Sequence, residues 1–194
     1  MTTIMNIPPL ENDRARLTLL DLSNYKHLLD IAGQKDLVQY SPSYIETPED
    51  LKAYVQTAVD LYYHKMAIPF IVYDKLEQAY AGCTRFMTID WDNKVLEIGS
   101  TWIGREFQGT GLNAHMKFLM LRYTFETLNF EKVEFRIDER NARSRKAVEK
   151  LGAKFEGILR KNVCLKDGFK RNTCCYGMLK EEWEGIKSSV FKGF

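Results

Sequence analysis

The sequence has little of what export, membrane insertion or metal binding would require. No apolar run approaches the roughly 18 residues of a spanning helix, and the segment after Met1 has no basic region ahead of an apolar block. The four cysteines lack the paired spacing of a zinc ribbon or a redox pair, and the three histidines are scattered singly. We therefore expect a cytoplasmic protein with reduced thiols and no metal centre.

Linkers and repeats are also lacking. No Pro/Gly/Ser-rich stretch, internal repeat or low-complexity segment interrupts the chain. With 194 residues, of which 45% are hydrophobic and 28% charged, the chain is long enough to bury a core of its own. We expect one domain over residues 1–194.

Charge is unevenly distributed. The net charge is only +2, yet residues 140–171 hold eleven Lys or Arg against three acidic residues. Such a stretch is typical of a nucleic-acid-binding module, although no interleaved aromatics or known binding motif accompany it here. The same charges would suit the phosphates of a small ligand, or form a solvated face.

The order of predicted elements indicates the fold class. Strands are predicted near residues 14–20, 68–74, 79–89, 94–103 and 132–137, with two more around Asp167. Helices are predicted at residues 24–31, after Thr47-Pro48, after the glycines at 109 and 111, and from Asn141 to Gly152. This order predicts an α/β (α+β) fold, in which about four helices flank a twisted, mixed, mostly antiparallel sheet of about seven strands.

A glycine-rich turn, Gln108-Gly109-Thr110-Gly111, joins a predicted strand to a predicted helix. Glycines let a ligand approach the backbone, and the free N–H groups of a helix start favour an anion such as a pyrophosphate. Taken alone, the turn is equally consistent with a simple tight connection. It lacks the Gly-Lys-Ser/Thr of a Walker loop and the third glycine of a dinucleotide fingerprint.

Two segments together resemble the GNAT acetyltransferases. Residues 108–113 are similar to that family's acetyl-CoA loop, except that Asn113 stands where the family has Gly or Ala. Residues 141–153, with Asn141, Ser144 and Leu151-Gly152, resemble the family's following helix. The likeness covers residues 10–185 in element order and is strongest to the branch of ribosomal-protein alanine N-acetyltransferases.

The resemblance implies a GNAT fold and an acetyl-CoA-dependent N-acetyltransferase. A primary amine, either a protein N-terminus or a small-molecule amine, would attack acetyl-CoA directly in a ternary complex. Backbone N–H groups on the strand before the loop would stabilise the oxyanion. The implied cofactor-binding residues are Thr101, Trp102, Ile103, Gln108, Gly109, Thr110, Gly111, Leu112, Asn113, Asn141, Ser144, Arg145 and Lys150.

Two residues are candidates for proton transfer. The acceptor amine must lose a proton before attack, and Glu97 stands where the family often has its base, although a solvated strand glutamate is an equal alternative. Many relatives have a tyrosine acid where this chain has Val148. By residue type alone, Ser144 on the inward helix face fits a core hydroxyl bonded to a backbone carbonyl. The resemblance instead implies that Ser144, or a water, would protonate the leaving thiolate. Asp138 is a weaker candidate base and fits a turn residue better.

Acceptor binding and assembly have weaker signals. Tyr40, Tyr44 and Tyr176 are candidate walls of an acceptor pocket, although aromatics this common in the chain more often belong to the core. A C-terminal strand and tail through Phe191 and Phe194 would be available for homodimer formation. Because the acid position is vacant, a non-catalytic CoA-binding or regulatory protein of the same fold remains an alternative to an enzyme.

Overall fold

The computed structural model of the chain describes residues 6–194, so the first five residues of the segment used to predict the absence of an export signal lie outside it. Eight strands form one sheet in the order β1-β2-β3-β4-β5-β6-β8-β7. All pairs are antiparallel except β5 with β6. The strands are β1 Leu10–Glu11, β2 Ala15–Leu19, β3 Ile68–Asp74, β4 Ala79–Asp90, β5 Val95–Ile103, β6 Lys132–Asp138, β7 Lys154–Cys164 and β8 Lys170–Leu179. The helices are α1 Leu29–Ala32, α2 Pro48–Tyr63, α3 Leu112–Arg122, α4 Ala142–Lys150 and α5 Lys180–Ser189.

The mixed, mostly antiparallel sheet confirms the predicted fold class. Residues 6–194 contain eight strands and five helices, where about seven and about four were predicted. The additional elements are the two-residue β1 and the C-terminal α5. The predicted helix at residues 24–31 is a 3₁₀ turn, Tyr25–Leu28, that continues into the single turn of α1.

Local capping chemistry fixes two helix starts as predicted. Thr47 Oγ1 accepts from the Asp50 N–H at 3.1 Å, and the Asp50 carboxylate accepts from the Thr47 N–H at 2.9 Å. This capping box satisfies two backbone donors and begins α2 at Pro48. Asn141 Oδ1 accepts from the Ser144 N–H at 3.1 Å and begins α4.

The C-terminal tail packs on its own chain. After α5, the Phe191 ring lies 5.3 Å from Phe118 of α3 and 5.9 Å from Trp183, between ring centroids. Phe194 lies 5.8 Å from Phe118 and 4.3 Å from His115. These aromatic contacts hold the tail against α3 of its own chain, and the expected pairing with another copy stays a prediction.

The two faces of the sheet carry different helices. Successive side chains of a strand alternate between faces, and on β4 Arg85 lies against Tyr54 of α2 while Thr84 bonds to Lys117 of α3. On β5, Glu97 lies opposite Met87 of β4 and therefore on the α2 face. Helix α4 lies on the α3 face.

A gap opens within the sheet at β5. Strands β5 and β6 pair only from Val95 to Glu97, after which β5 follows β4 and β6 follows β8. Two residues of β5, Ser100 and Thr101, stand opposite Thr84 alone, and Ser100 has a φ of 46°, the geometry of a bulge. Ligands of α/β sheets bind in such openings at the carboxyl ends of parallel strands.

None of the helices in residues 6–194 has the length and apolar composition needed to cross a membrane. The same residues contain no group of three His, Cys, Asp or Glu side chains placed to hold a metal ion. All four cysteines are free thiols, with Cys83 and Cys174 buried and Cys164 exposed.

Candidate active site

The glycine-rich turn lies between the end of β5 and the start of α3. Gly109 has a φ of 80° and Gly111 a φ of 91°, a region that costs other residues roughly 1–2 kcal/mol. A Cβ built on either glycine meets no heavy atom of the described chain within 4 Å, so the turn borders open space. At the start of α3, the Leu112 N–H bonds to Thr110 Oγ1 at 3.4 Å and the Ala114 N–H to the Gly111 carbonyl at 2.9 Å, and the positive end of the helix faces the turn. The turn can therefore hold an anion by its backbone.

Side chains tie this turn to the start of α4. Gln108 donates from Nε2 to the Ile103 carbonyl at 2.9 Å, and its Oε1 accepts from Arg143. Thr110 donates to the Phe107 carbonyl at 2.8 Å. The two segments that resemble the family motifs are thus adjacent in space, and the exposed Arg143 places a cation beside the turn.

The other predicted residues of this region have different environments. Thr101 faces α3 and shares hydrogen bonds with Thr84 at 2.7 Å and Lys117 at 2.8 Å. Trp102 is buried, and its Nε1 has no partner among the described residues. Leu112 is buried at the start of α3, and Asn113 is half-buried beside it. Past Glu97, β5 loses its pairing with β6, and the backbone oxyanion donors expected on this strand stay a prediction.

Glu97 is a buried carboxyl at the point where the gap opens. It is 8% exposed, and burial raises its pKa to about 7 even though the nearby Arg136 acts to lower it. Arg136 Nε lies 3.9 Å from the Glu97 carboxylate. A carboxyl that titrates near neutral pH is suited to act as a general base.

The residues at and just before the start of α4 are weaker candidates for proton transfer than Glu97. Ser144 is half-buried, and its backbone N–H bonds to Asn141, which serves as the helix cap. Val148 is buried, so no phenol occupies that position. Asp138 is bound by Arg140 through both oxygens at 2.8 and 3.0 Å; although burial acts to raise its pKa, the bonds from Arg140 hold that pKa below the usual value. Asp138 is thus paired and poorly suited to be a base.

Three predicted residues are not brought to the site. Arg145 donates to the Tyr176 hydroxyl at 3.0 Å and to the Glu139 carbonyl at 3.2 Å, so its guanidinium is bound inside the chain. Lys150 ends α4, at the opposite end from Arg143. Tyr176 is buried on the α3 and α4 face, where its hydroxyl donates to Glu149 at 2.8 Å. The prediction that Tyr176 lines an acceptor pocket together with Tyr40 and Tyr44 was therefore wrong.

Tyr40 and Tyr44 lie in the loop before α2, on the Glu97 face. Tyr44 lines a cavity of about 300 Å³ between that loop, α2 and β4. The Tyr40 carbonyl accepts from Arg171 at 2.8 Å, and the charge of Arg171 acts to lower the pKa of Glu97. Arg171, Arg136 and Arg85 were missed by the sequence analysis, since arginines within strands give no signal of which face they occupy.

Comparison with known proteins places these features in context. A sequence model described as the acetyltransferase (GNAT) domain matches residues 14–154. YdaF of Bacillus subtilis (strain 168), provisionally named a ribosomal N-acetyltransferase, is 32% identical over 106 residues, which are 55% of this chain and 57% of YdaF. The match therefore spans little more than half the length of that relative, and its name agrees with the predicted branch.

Two solved structures match over nearly the whole chain. A crystal structure provisionally described as an acetyltransferase is 31% identical with a TM-score of 0.86, covering 96% of this chain and 94% of the other. A GCN5-related N-acetyltransferase from Brucella melitensis is 26% identical with a TM-score of 0.88, covering 97% and 86% respectively.

Proposed function

This chain belongs to the GNAT acetyltransferase family, and on that premise we propose that it transfers the acetyl group of acetyl-CoA to a primary amine by direct attack in a ternary complex. The observation that carries the proposal is the position of Glu97, a buried carboxyl with a pKa of about 7 at the gap between β5 and β6. The acceptor would be a protein N-terminus or a small-molecule amine. The cytoplasmic location stays a prediction.

The residues present fit acetyl-CoA. The open backbone at Gly109 and Gly111 and the N-terminal end of α3 would hold the pyrophosphate, with Arg143 beside them. The edge of β5 that loses its pairing with β6 would hold the thioester arm. When bound, acetyl-CoA supplies the activated acyl group.

Glu97 would remove the proton that makes the acceptor amine unreactive. An amine with a pKa of about 8 to 10 is mainly protonated at pH 7, so a base of pKa near 7 can hold that proton as the neutral amine attacks. Backbone N–H groups of β5 would stabilise the oxyanion. A proton from Ser144 or water would suffice for the thiolate, because a thiol pKa of about 8.5 makes it a fair leaving group.

Free-thiol release with a panel of amines tests the proposal. Replacing Glu97 by Gln should lower kcat by roughly 10²- to 10⁴-fold while the calorimetric Kd for acetyl-CoA stays about the same. Glu134→Gln, directly across the β5–β6 pair, is the matched control: it should retain maximal kcat, and because the Glu134 charge acts to raise the pKa of Glu97, it should move the acidic limb of the pH profile to lower pH. An unchanged kcat of Glu97→Gln across the pH range would remove Glu97 from the mechanism.

Two other functions make different predictions. A non-catalytic CoA-binding protein, suggested by Val148, would bind acetyl-CoA and release no thiol with any amine. A nucleic-acid-binding module would bind DNA with strong salt dependence and would not bind CoA. The second is disfavoured because three arginines of the basic stretch, Arg140, Arg145 and Arg171, bind groups within the chain.

A further inference from the structure

Arg85 is a buried cation without an acidic partner. It lies in the middle of β4 and is only 6% exposed. No carboxylate of the described residues lies within ion-pair distance, and its Nε has no hydrogen-bond partner among them. The guanidinium lies 4.9 Å from the ring centre of Tyr54, a weak compensation for a charge removed from water. A buried arginine in this state is suited to receive an anion.

The guanidinium lies at a cavity that an anion can enter. Arg85 lines the cavity of about 300 Å³ together with Ser43, Tyr44, Tyr54 and Asp50. Asp50 does not serve as its partner, because its Oδ2 accepts from the Thr47 N–H, the Thr47 hydroxyl and the Glu46 N–H at the start of α2. The carboxylate at the rim is thus committed to capping a helix.

Arg85 and Glu97 face the same side of the sheet. Arg85 lies opposite Gly99 of β5, and Met87 lies opposite Glu97, so the two side chains are one strand apart and offset by two residues. Diagonal neighbours of this kind are roughly 7–8 Å apart, and their Cβ atoms are somewhat closer. A dipeptide, at about 3.4 Å per residue, spans a similar distance from its amine to its carboxylate.

We propose that the acceptor amine carries a carboxylate about one dipeptide length from its nitrogen, and that Arg85 binds this carboxylate while Glu97 faces the amine. The inference rests on the proposed acetyl transfer and adds the acceptor's chemical class to it. The planar guanidinium can donate two parallel hydrogen bonds to a carboxylate, which fixes orientation as well as charge. Arg85 is therefore a specificity-determining residue.

A pair of acceptors that differ only in terminal charge tests this role. Alanylglycine and alanylglycinamide present the same amine, and kcat/KM of the native chain should favour the acid by roughly 10- to 100-fold. Arg85→Met should abolish that preference by raising KM for the acid alone, and Arg85→Lys should restore part of it. Arg16→Met is the matched control, since Arg16 also stacks on a tyrosine, Tyr73 at 4.7 Å, but on the edge side of the sheet. The acid-to-amide ratio of Arg85→Met records any intrinsic difference in reactivity between the two amines, because this variant has no guanidinium.

The outcomes separate this inference from the proposed function. No thiol release with any amine would overturn the acetyltransferase proposal itself. Equal use of acid and amide by the native chain, or an equal loss for both acceptors in Arg85→Met, would overturn the role of Arg85 while leaving acetyl transfer intact. The melting temperature of Arg85→Met provides a check on folding, and it should not fall, because an unpaired buried charge is removed. A fall of several degrees would show that Arg85 is instead a structural residue.

Discussion

Replacing Glu97 by Gln should stabilise the protein in a pH-dependent way. Burial raises the pKa of Glu97 from 4.5 to about 7, so ionising this carboxyl costs about 3 kcal/mol more in the folded chain than in the unfolded one. Because the folded pKa lies above the unfolded one, the cost is absent below about pH 4.5 and complete above about pH 7. Gln has a similar shape and no proton to lose, so the variant avoids the cost.

The expected gain is therefore near zero at pH 4 and reaches about 3 kcal/mol at pH 8. For a chain of this size, 1 kcal/mol moves the melting temperature by roughly 2–4 °C, which predicts a rise of about 6–12 °C at pH 8. Calorimetry or circular dichroism of both proteins from pH 4 to pH 9 measures the difference. The same variant should have lost turnover, so that stability rises as activity falls.

Glu134→Gln gives the opposite sign and serves as the control. Burial acts to raise the pKa of Glu134, but hydrogen bonds from Lys132 and Arg136 outweigh it and hold this pKa below the usual value. A lowered pKa contributes stability above the unfolded value that is lost as the pH falls, so this variant should be destabilised at pH 8. A melting-temperature difference for Glu97→Gln that does not change between pH 4 and pH 8 would refute the reasoning.

Other variants test the glycine turn, a buried lysine and two structural contacts. Gly111→Val should abolish acetyl-CoA binding in calorimetry, because valine cannot easily adopt the left-handed φ of 91°; retained affinity would contradict the turn's role. Lys117→Met should raise the melting temperature more at pH 6 than at pH 10, because burial lowers the pKa of this lysine from 10.5 to about 7, so the cost of charging it grows as the pH falls below 10.5 and is complete below about 7; an equal effect at both pH values would argue against a lowered pKa. Asn141→Ala should cost about 1 kcal/mol in urea unfolding through the lost cap of α4. Phe191→Ala should cost about 3–5 kcal/mol, since the ring is 3% exposed; a loss under 1 kcal/mol would show that the tail is not packed.

Features determined by local chemistry were predictable from the sequence. The Thr47 cap and the Asn141 cap depend on neighbours a few residues away. The strand bounds near residues 68–74 and 94–103 were also predicted within a residue, because polar turns delimit these short apolar segments. Such features need no knowledge of the tertiary structure.

Features determined by distant contacts were not predictable. In the sequence, Arg145 is one of many cations in a basic stretch. Only the folded chain brings it to the hydroxyl of Tyr176 on β8, 31 positions away. Similarly, Tyr176 and Tyr44 are both aromatic, and only the strand register shows that they occupy opposite faces. The helix α5 was missed because its burial depends on Phe118 and Phe125 of a distant segment. Identifying these residues required the fold.

The brevity of the β5–β6 ladder has a consequence for how the molecule opens. Three paired residues on each strand join the half-sheet β1–β5 to the half-sheet β6–β8, and amides at so short a junction should exchange with deuterium sooner than those inside either half. The glycine-rich turn belongs to the half-sheet β1–β5 and α4 to the half-sheet β6–β8. A ligand bound to both would therefore link the two half-sheets. Acetyl-CoA should then slow exchange at residues 95–97 and 132–134 as well as at the residues it touches.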